Sequence, residues 1–443
     1  MIKHAHEVRD PIHVFVRLTT HERSVLDSRP FQRLRHIHQL ALSSLVYPGA
    51  THKRFEHSLG VMELAGRVFD VVTQEDNIHP DVRAILPEIT DTSAKFYWRQ
   101  VLRMAALCHD IGHLPFSHAA EKELLPDGMS HENLTRALIV SDEKKKIWRS
   151  MTPRLDPLDI EKLAVGPKKA NDLQFTTWES ILSELIVGDA FGVDRIDYLL
   201  RDSYHAGVMY GRFDHYRLVD TLRVLPPPLS GEPKSPREPV LGIEGGGLQT
   251  AEALAMARYF MYSQVYFHPV RRSYDIHLKD FLKEWLPGGT YPIDVEGHLK
   301  WTDNEVWSGI LESARASTSR GYSHSRRIVD RTHFRLLYEP TPQDTEGGIR
   351  AGEAVYKSAA QEFGNDKVRY DKHTPGAGML EFPVLIDGDE IASSTAKSQT
   401  LRQIPAARFE FVFIAPEFKK KAKAWLDQRK REILQSAASE EEP

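Results

Sequence analysis

Residues 98–113 read WRQVLRMAALCHDIGH, and the chain runs on as LPFSHAAEKEL to Leu124. From Val101 to Cys108 nearly every side chain is apolar, the pattern of a helix buried in a core. Into the end of this stretch the sequence sets His109 and Asp110, then His113 and His118. A single buried histidine is ordinarily structural, its ring nitrogens satisfied by neighbours. A carboxylate in an apolar helix is different, because burying it is costly unless it is paired or bound to a cation. Adjacent helical side chains point about 100° apart, so His109 and Asp110 can share an ion only at the edge of a cavity.

The doublet supplies two ligands and asks for others. RFEHSLG, residues 54–60, offers His57 on an amphipathic helix. GDAFGVDRIDYLLRDS, residues 188–203, offers Asp189, Asp194, Asp197 and Asp202, and spacing does not choose among them. Two neutral imidazoles and two carboxylates, with positions left for water and substrate, suit one divalent ion: Mn, Fe, Zn, Ni or Mg.

Around this cluster the chain reads as a globular protein. Its 443 residues suggest two or three domains. The apolar share is 41%, the charged share 27% and the net charge −4, a balance that argues against a nucleic-acid backbone as partner. The one cysteine, Cys108, makes no intrachain disulfide, and a reducing cytoplasm is the expected compartment. No secretion signal is read in MIKHAHEVRDPIHVF, and no run is apolar enough for a membrane span.

RDPIHVFVRL alternates as a strand or hairpin, and PFQRLRHIHQLALSSLVY carries apolar residues at helical intervals. Residues 141–172 are charged and proline-containing and are expected to be an insertion or a peripheral helix pair. LQTAEALAMARYFMYSQVYFHPVRRSYDIHLKDFLKEWL reads as one or two long helices. Beyond about residue 330, FRLLYEP, FPVLID and RFEFVFIAP read as strands, and residues 416–439 as a Lys-rich amphipathic helix. The expected fold is mainly α, with domains at 1–320 and 321–443, the second a smaller α+β region for oligomerisation or regulation.

FQRLRHIHQL, YPGATHKRFEHSLGV, CHDIGHLPFSH, SHEN and VDRIDYLLRDSYHAG, in that order, resemble the HD superfamily of metal-dependent phosphohydrolases. Within it they are similar to the deoxynucleoside triphosphate triphosphohydrolase (dNTPase) branch, which includes a vertebrate SAM- and HD-domain enzyme and bacterial enzymes of similar length. The likeness spans roughly residues 8–275. It implies an HD helical core and selects Asp194 from the four acids, making His57, His109, Asp110 and Asp194 the metal ligands. It implies active-site roles for His113, His118 and His131, with His118 as proton donor to the leaving 5′-oxygen. Glu121, where the family often has Asp, stands where it would orient His118. The plainer alternative for His131 is a surface histidine capping a helix.

Asp194, Tyr198 and Asp202 are spaced i, i+4, i+8, as are Arg258, Tyr262 and Tyr266. An aromatic stripe is more often core than pocket; the resemblance favours the pocket. It implies Arg258 on the γ-phosphate, Tyr198 beneath the deoxyribose, Asp202 near the 3′-OH, Gln39 and Leu40 lining the sugar, and Arg54 on the α-phosphate. Tyr262 stands where some relatives carry His. Asp27, Gln32 and Arg35 would by themselves be an N-cap and an exposed polar helix face. They match residues that read a guanine nucleotide at a subunit interface in activated relatives, which implies a guanine or deoxynucleotide effector and a homotetramer. The expected activity is hydrolysis of dNTPs to deoxynucleoside and inorganic triphosphate, with additional Mg accompanying the nucleotide. The alternatives are an HD nucleotidase, phosphodiesterase or nuclease, and a non-catalytic nucleotide-sensing subunit.

Overall fold

The structure, a computed structural model, describes residues 6–117, 121–227, 238–373, 381–386 and 390–440. The fold is mainly α, and the chain forms two compact units interleaved in sequence. One comprises Met1–Met261, Pro292–Asn304 and Gly378–Pro405; the other comprises Tyr262–Tyr291, Glu305–Ala377 and Ala406–Pro443.

The first unit opens with an antiparallel hairpin, His6–Asp10 against Val14–Leu18. Its helical core is built on Arg54–Val72, Thr92–Cys108, Pro157–Val165, Thr177–Val187 and Val193–Ala206, which pack against one another. Local chemistry sets their ends. The Asp91 carboxylate accepts from Ala94 N–H at 2.6 Å and starts Thr92–Cys108. Thr176 and Glu179 form a capping box at the head of Thr177–Val187. Gly207, at φ 73°, closes Val193–Ala206 in the left-handed conformation that favours glycine. Leu102, Met104, Ala105, Ala106, Leu107 and Cys108 are all at most 1% exposed, as the sequence of that helix requires.

A small sheet completes this unit. Leu222–Leu225 pairs antiparallel with Val240–Glu244, which runs parallel to Pro383–Ile386, itself antiparallel to Glu390–Ser393. In the second unit Phe409–Ile414 is the central strand between Arg335–Tyr338 and Val368–His373, antiparallel to both. The helices Ala351–Phe363 and Lys419–Glu440 pack together there, with Val355, Ala359, Val412, Ile414, Ala422 and Leu426 in one apolar cluster.

Two expectations about local structure are corrected. The stretch from Phe31 to Val46 is not a continuous helix: Arg29–Arg33 is followed by separate 3₁₀ turns at Leu34–His36 and Ala41–Leu45. Its backbone bonds instead to the segment entering the next helix, Gln39 N–H to His52 O and Arg54 N–H to Ile37 O, both at 3.0 Å. Phe31, Leu34, Ile37 and Leu40 are nevertheless buried, from a chain that bends. Nor is 141–172 peripheral. Lys144 and Trp148 are fully buried, and Pro157–Val165 packs on Thr92–Cys108. The helix Asp142–Ser150 turns Trp148 inward together with Lys144, whose Nζ donates to Ser28 Oγ at 2.7 Å, while Asp142, Lys146 and Arg149 stay exposed.

Candidate metal centre

The buried helix ends at Cys108, so His109 is its C-cap and Asp110 lies in the turn beyond. The doublet therefore sits at the negative end of a helix dipole, not within a helix, and the turn lets both side chains aim at one place. His109 Nδ1 donates to Ala106 O at 2.7 Å, which leaves Nε2 as the lone-pair nitrogen. Among the described residues this buried Nε2 makes no hydrogen bond. It faces Asp110 Oδ1 and Asp194 Oδ1, each at 3.4 Å.

His57 comes from the first turn of Arg54–Val72. Its Nδ1 donates to Asp197 Oδ2 at 2.7 Å, and its Nε2 lies 3.0 Å from Asp194 Oδ1 and 3.7 Å from Asp110 Oδ2. His57, His109 and Asp110 place ligand atoms within 4.8 Å of one another. Asp194, at the start of Val193–Ala206, is the most open of the four, with its side chain 32% exposed. Burial disfavours the charged imidazole at His57, but Asp194 and Asp197 outweigh it and pull the pKa up to about 10. Burial likewise opposes, and the same kind of carboxylate contact raises, the pKa of His109. Asp110 resists burial because Arg54 and His109 hold it well below the usual carboxylate range. Imidazoles that gather protons beside carboxylates that stay ionised mark a place that favours positive charge. With the unpartnered His109 nitrogen, this donor set fits a divalent metal ion.

The other expected site residues are placed as follows. His113 Nε2 is 3.1 Å from Asp110 Oδ1, and its ring stacks on that of His131 at 3.8 Å. Burial and the Arg54 guanidinium keep the His113 pKa well below its ordinary value. Glu121 Oε1 accepts from His131 N–H at 2.6 Å and lies 2.8 Å from its Nδ1. His118 lies outside the described residues. Arg54 bonds Asp110 and, at 2.8 Å, Ser117 Oγ. Gln39 and Leu40 are buried, and Gln39 Oε1 has no hydrogen-bond partner among the described residues. On the Val193–Ala206 helix, Tyr198 is half-buried, and Asp202 is buried with His52 Nε2 at 2.7 Å. Arg258 lies on Leu248–Met261 and is half-buried. Tyr262 and Tyr266 belong to the π-helical turn Tyr262–Tyr266, with ring centres 5.1 Å apart. The wider winding of that turn breaks the α-helical register expected from Arg258 onward. Asp27 caps the end of Thr20–Leu26 and pairs with Arg23 at 3.2 Å. Gln32 Oε1 accepts from Arg35 Nε at 2.9 Å, and Arg35 lies over the Phe55 ring.

Residue-type reasoning missed two supports. Asp197 had been one of four equivalent acids, yet it is the partner of His57. Asp303, unremarked in sequence, accepts from Phe116 N–H at 2.7 Å, His38 N–H at 2.7 Å and His38 Nδ1 at 2.6 Å. It thereby holds Phe116 and Ser117, both left-handed at φ 55° and 58°, next to Arg54.

The fold and this cage define a helical protein able to hold a divalent metal between histidines and aspartates. Residues 54–166 match the family model of the HD domain, and residues 213–349 that of the HD associated region. A solved structure of a hypothetical protein from Aquifex aeolicus is similar, with a TM-score of 0.76 and 30% identity, covering 95% of this chain and 99% of that one. The chain belongs to the HD-domain family. It is 37% identical over 278 residues to the uncharacterized protein YwfO of Bacillus subtilis, covering 62% of this chain and 54% of that one. It is 28% identical over 396 residues to the deoxynucleoside triphosphate triphosphohydrolase SAMHD1 of Homo sapiens, covering 81% of this chain and 59% of that one. The chain thus spans between about half and two thirds of the curated relatives it matches. Among the described residues, no helix is long and apolar enough to cross a membrane.

Proposed function

We propose that the protein is a metal-dependent phosphohydrolase that cleaves dNTPs to deoxynucleoside and inorganic triphosphate. The observation that carries this reading is the bare His109 nitrogen, aimed with His57 at the carboxylates of Asp110 and Asp194, with Arg54 beside them. A divalent ion held by these four residues would polarise a phosphoryl oxygen and acidify nearby water. Arg54 and Arg258 neutralise the triphosphate. Tyr198, Gln39, Leu40 and Asp202 receive the deoxyribose; the unpartnered Gln39 oxygen is an acceptor suited to a sugar hydroxyl. Water attacks the α-phosphorus, the bond to the 5′-oxygen breaks, and His118 supplies the proton that oxygen takes up. His113 and His131 line the reacting phosphate, and Glu121, bonded to His131, orients His118 in this reading. A nucleotide effector at Asp27, Gln32 and Arg35 and a homotetramer belong to the same reading, which the similarity to proteins named dNTPases supports.

The test is to supply dGTP and dATP with Mn²⁺ and identify the products. Inorganic triphosphate with free deoxynucleoside is expected; pyrophosphate or single phosphate would reject the chemistry. Ribonucleotides, nucleoside monophosphates and single-stranded DNA tested in parallel separate a dNTPase from a nucleotidase or nuclease.

A further inference from the structure

His57 is held from behind by a chain of buried polar groups that ends in the N-terminal hairpin. Asp197 accepts from His57 Nδ1 through Oδ2, and its Oδ1 lies 2.7 Å from His13 Nε2. Arg201, one turn along the same helix, donates Nε to Asp197 Oδ2 at 2.8 Å and Nη2 to Oδ1 at 2.9 Å. Its Nη1 reaches Asp10 Oδ2 at 2.8 Å. Asp10 Oδ1 then accepts the backbone N–H of Ile12 at 2.9 Å and of His13 at 2.8 Å, so one carboxylate both shapes the hairpin turn and grips the guanidinium. The side chains of His13, Asp197 and Arg201 are 0% exposed, and that of Asp10 is 4% exposed. Gly60 lets this assembly press against the helix that carries His57, since a Cβ there would lie 2.0 Å from Asp197 Oδ1.

A buried ion network is weak evidence for stability, because apolar packing does as well. This one has a further property. Asp10 and Asp197 present two carboxylates to the one guanidinium of Arg201. The Asp197 carboxylate lies directly behind His57, at Nδ1, on the far side of the imidazole from Asp110 and Asp194. It strengthens His57 as a donor toward a cation. On its outer side the turn is strained: Val14 is left-handed at φ 67°, an uncommon state for a β-branched residue, and is 48% exposed.

We propose that the Asp10–Val14 turn is a remote positioning element for the metal centre, acting through Arg201 and Asp197 to fix the tautomer and aim of His57. The proposal rests on the reading of His57 as a metal ligand. It makes metal affinity a property partly set by the hairpin, which touches neither metal nor substrate.

The full-length protein, stripped by chelation, is titrated with Co²⁺ and with Mn²⁺ by calorimetry, and the visible spectrum of the Co²⁺ form is recorded. Asp10→Asn is expected to weaken Co²⁺ binding about 10-fold or more and to shift the ligand-field bands. Asp70→Asn, which removes an exposed pair with Arg99 of the same charge type, is expected to match wild type in both readouts. Asp10→Asn with wild-type affinity and spectrum overturns the proposal. So does a lower melting temperature with an unchanged spectrum, which would assign the turn a merely structural role. If Asp10→Asn does not fold, His13→Gln is judged by the same readouts, and unchanged values overturn the proposal equally. Wild-type protein that takes up neither ion overturns the metal-centre reading itself, an outcome distinct from a normal wild type with an indifferent variant.

Discussion

At His109 one ring nitrogen is committed to the backbone and the other is left facing two carboxylates. Replacing this residue by alanine removes the donor without disturbing the helix before it. His109→Ala is expected to reduce bound divalent metal from about one per chain to none, by elemental analysis, while the far-ultraviolet circular dichroism is kept. Asp303 makes a different prediction. It is almost fully buried and accepts three hydrogen bonds, one from the left-handed Phe116 and two from His38. Asp303→Asn turns one acceptor into a donor among donors. A loss of about 1–3 kcal/mol is expected by chemical denaturation, with faster hydrogen exchange at the Phe116 amide. His57, His109 and Asp110 were legible in sequence because imidazole and carboxylate carry chemistry wherever they stand, and their clustering in an apolar setting demands an explanation. Asp197 and Asp303 were not. Their importance lies wholly in partners 140 and 187 residues away, His57 and Phe116, and no local pattern announces a partner at that distance.

Among the elements, the helix His131–Ile139 is fastened directly to the turn carrying His109 and Asp110. Thr135 Oγ1 accepts from Gly112 N–H at 3.1 Å and donates to His109 O at 3.2 Å. A Cβ on Gly112 would lie 2.3 Å from both His131 O and Thr135 N. Gly112→Ala must therefore push the helix and the turn apart. It is expected to cost about 1–3 kcal/mol and, unlike an ordinary overpacked core variant, to lower metal affinity as well. Glycine is needed here for close approach, and sequence alone shows only a glycine between two histidines. Asp91, Thr176 and Gly207 set helix ends by capping chemistry. The segment from Phe31 to Val46 shows the limit: its apolar spacing identified which side chains are buried, but pairing with residues 52 and 54 decided the backbone. Charge misled at 141–172, where a helix with one buried face was read as an appendage.

For the molecule as a whole, a ligand that binds only the folded state stabilises it in proportion to the logarithm of its concentration. Raising Mn²⁺ to about 100 times its dissociation constant should add roughly 2.7 kcal/mol, seen as a rising melting temperature that excess chelator reverses. A variant lacking both His109 and Asp110 should melt at one temperature regardless of metal. Mainly α character and the strands Arg335–Tyr338, Pro383–Ile386 and Phe409–Ile414 were visible in sequence; Val368–His373 and Glu390–Ser393 were not. The interleaving of the two units was not, because strand partners are chosen by three-dimensional proximity.

That interleaving bears on how the protein is made. Val240–Glu244 finds its parallel neighbour only in Pro383–Ile386. At ~5–20 residues per second, a ribosome needs roughly 7–30 s to travel from the one strand to the other. During that interval the nascent first unit presents an open β-edge, the kind of surface on which newly made chains stick to one another. Stalled translation products ending at residue 320 should accordingly be bound by chaperones or precipitate, and extension past Ser393 should release them.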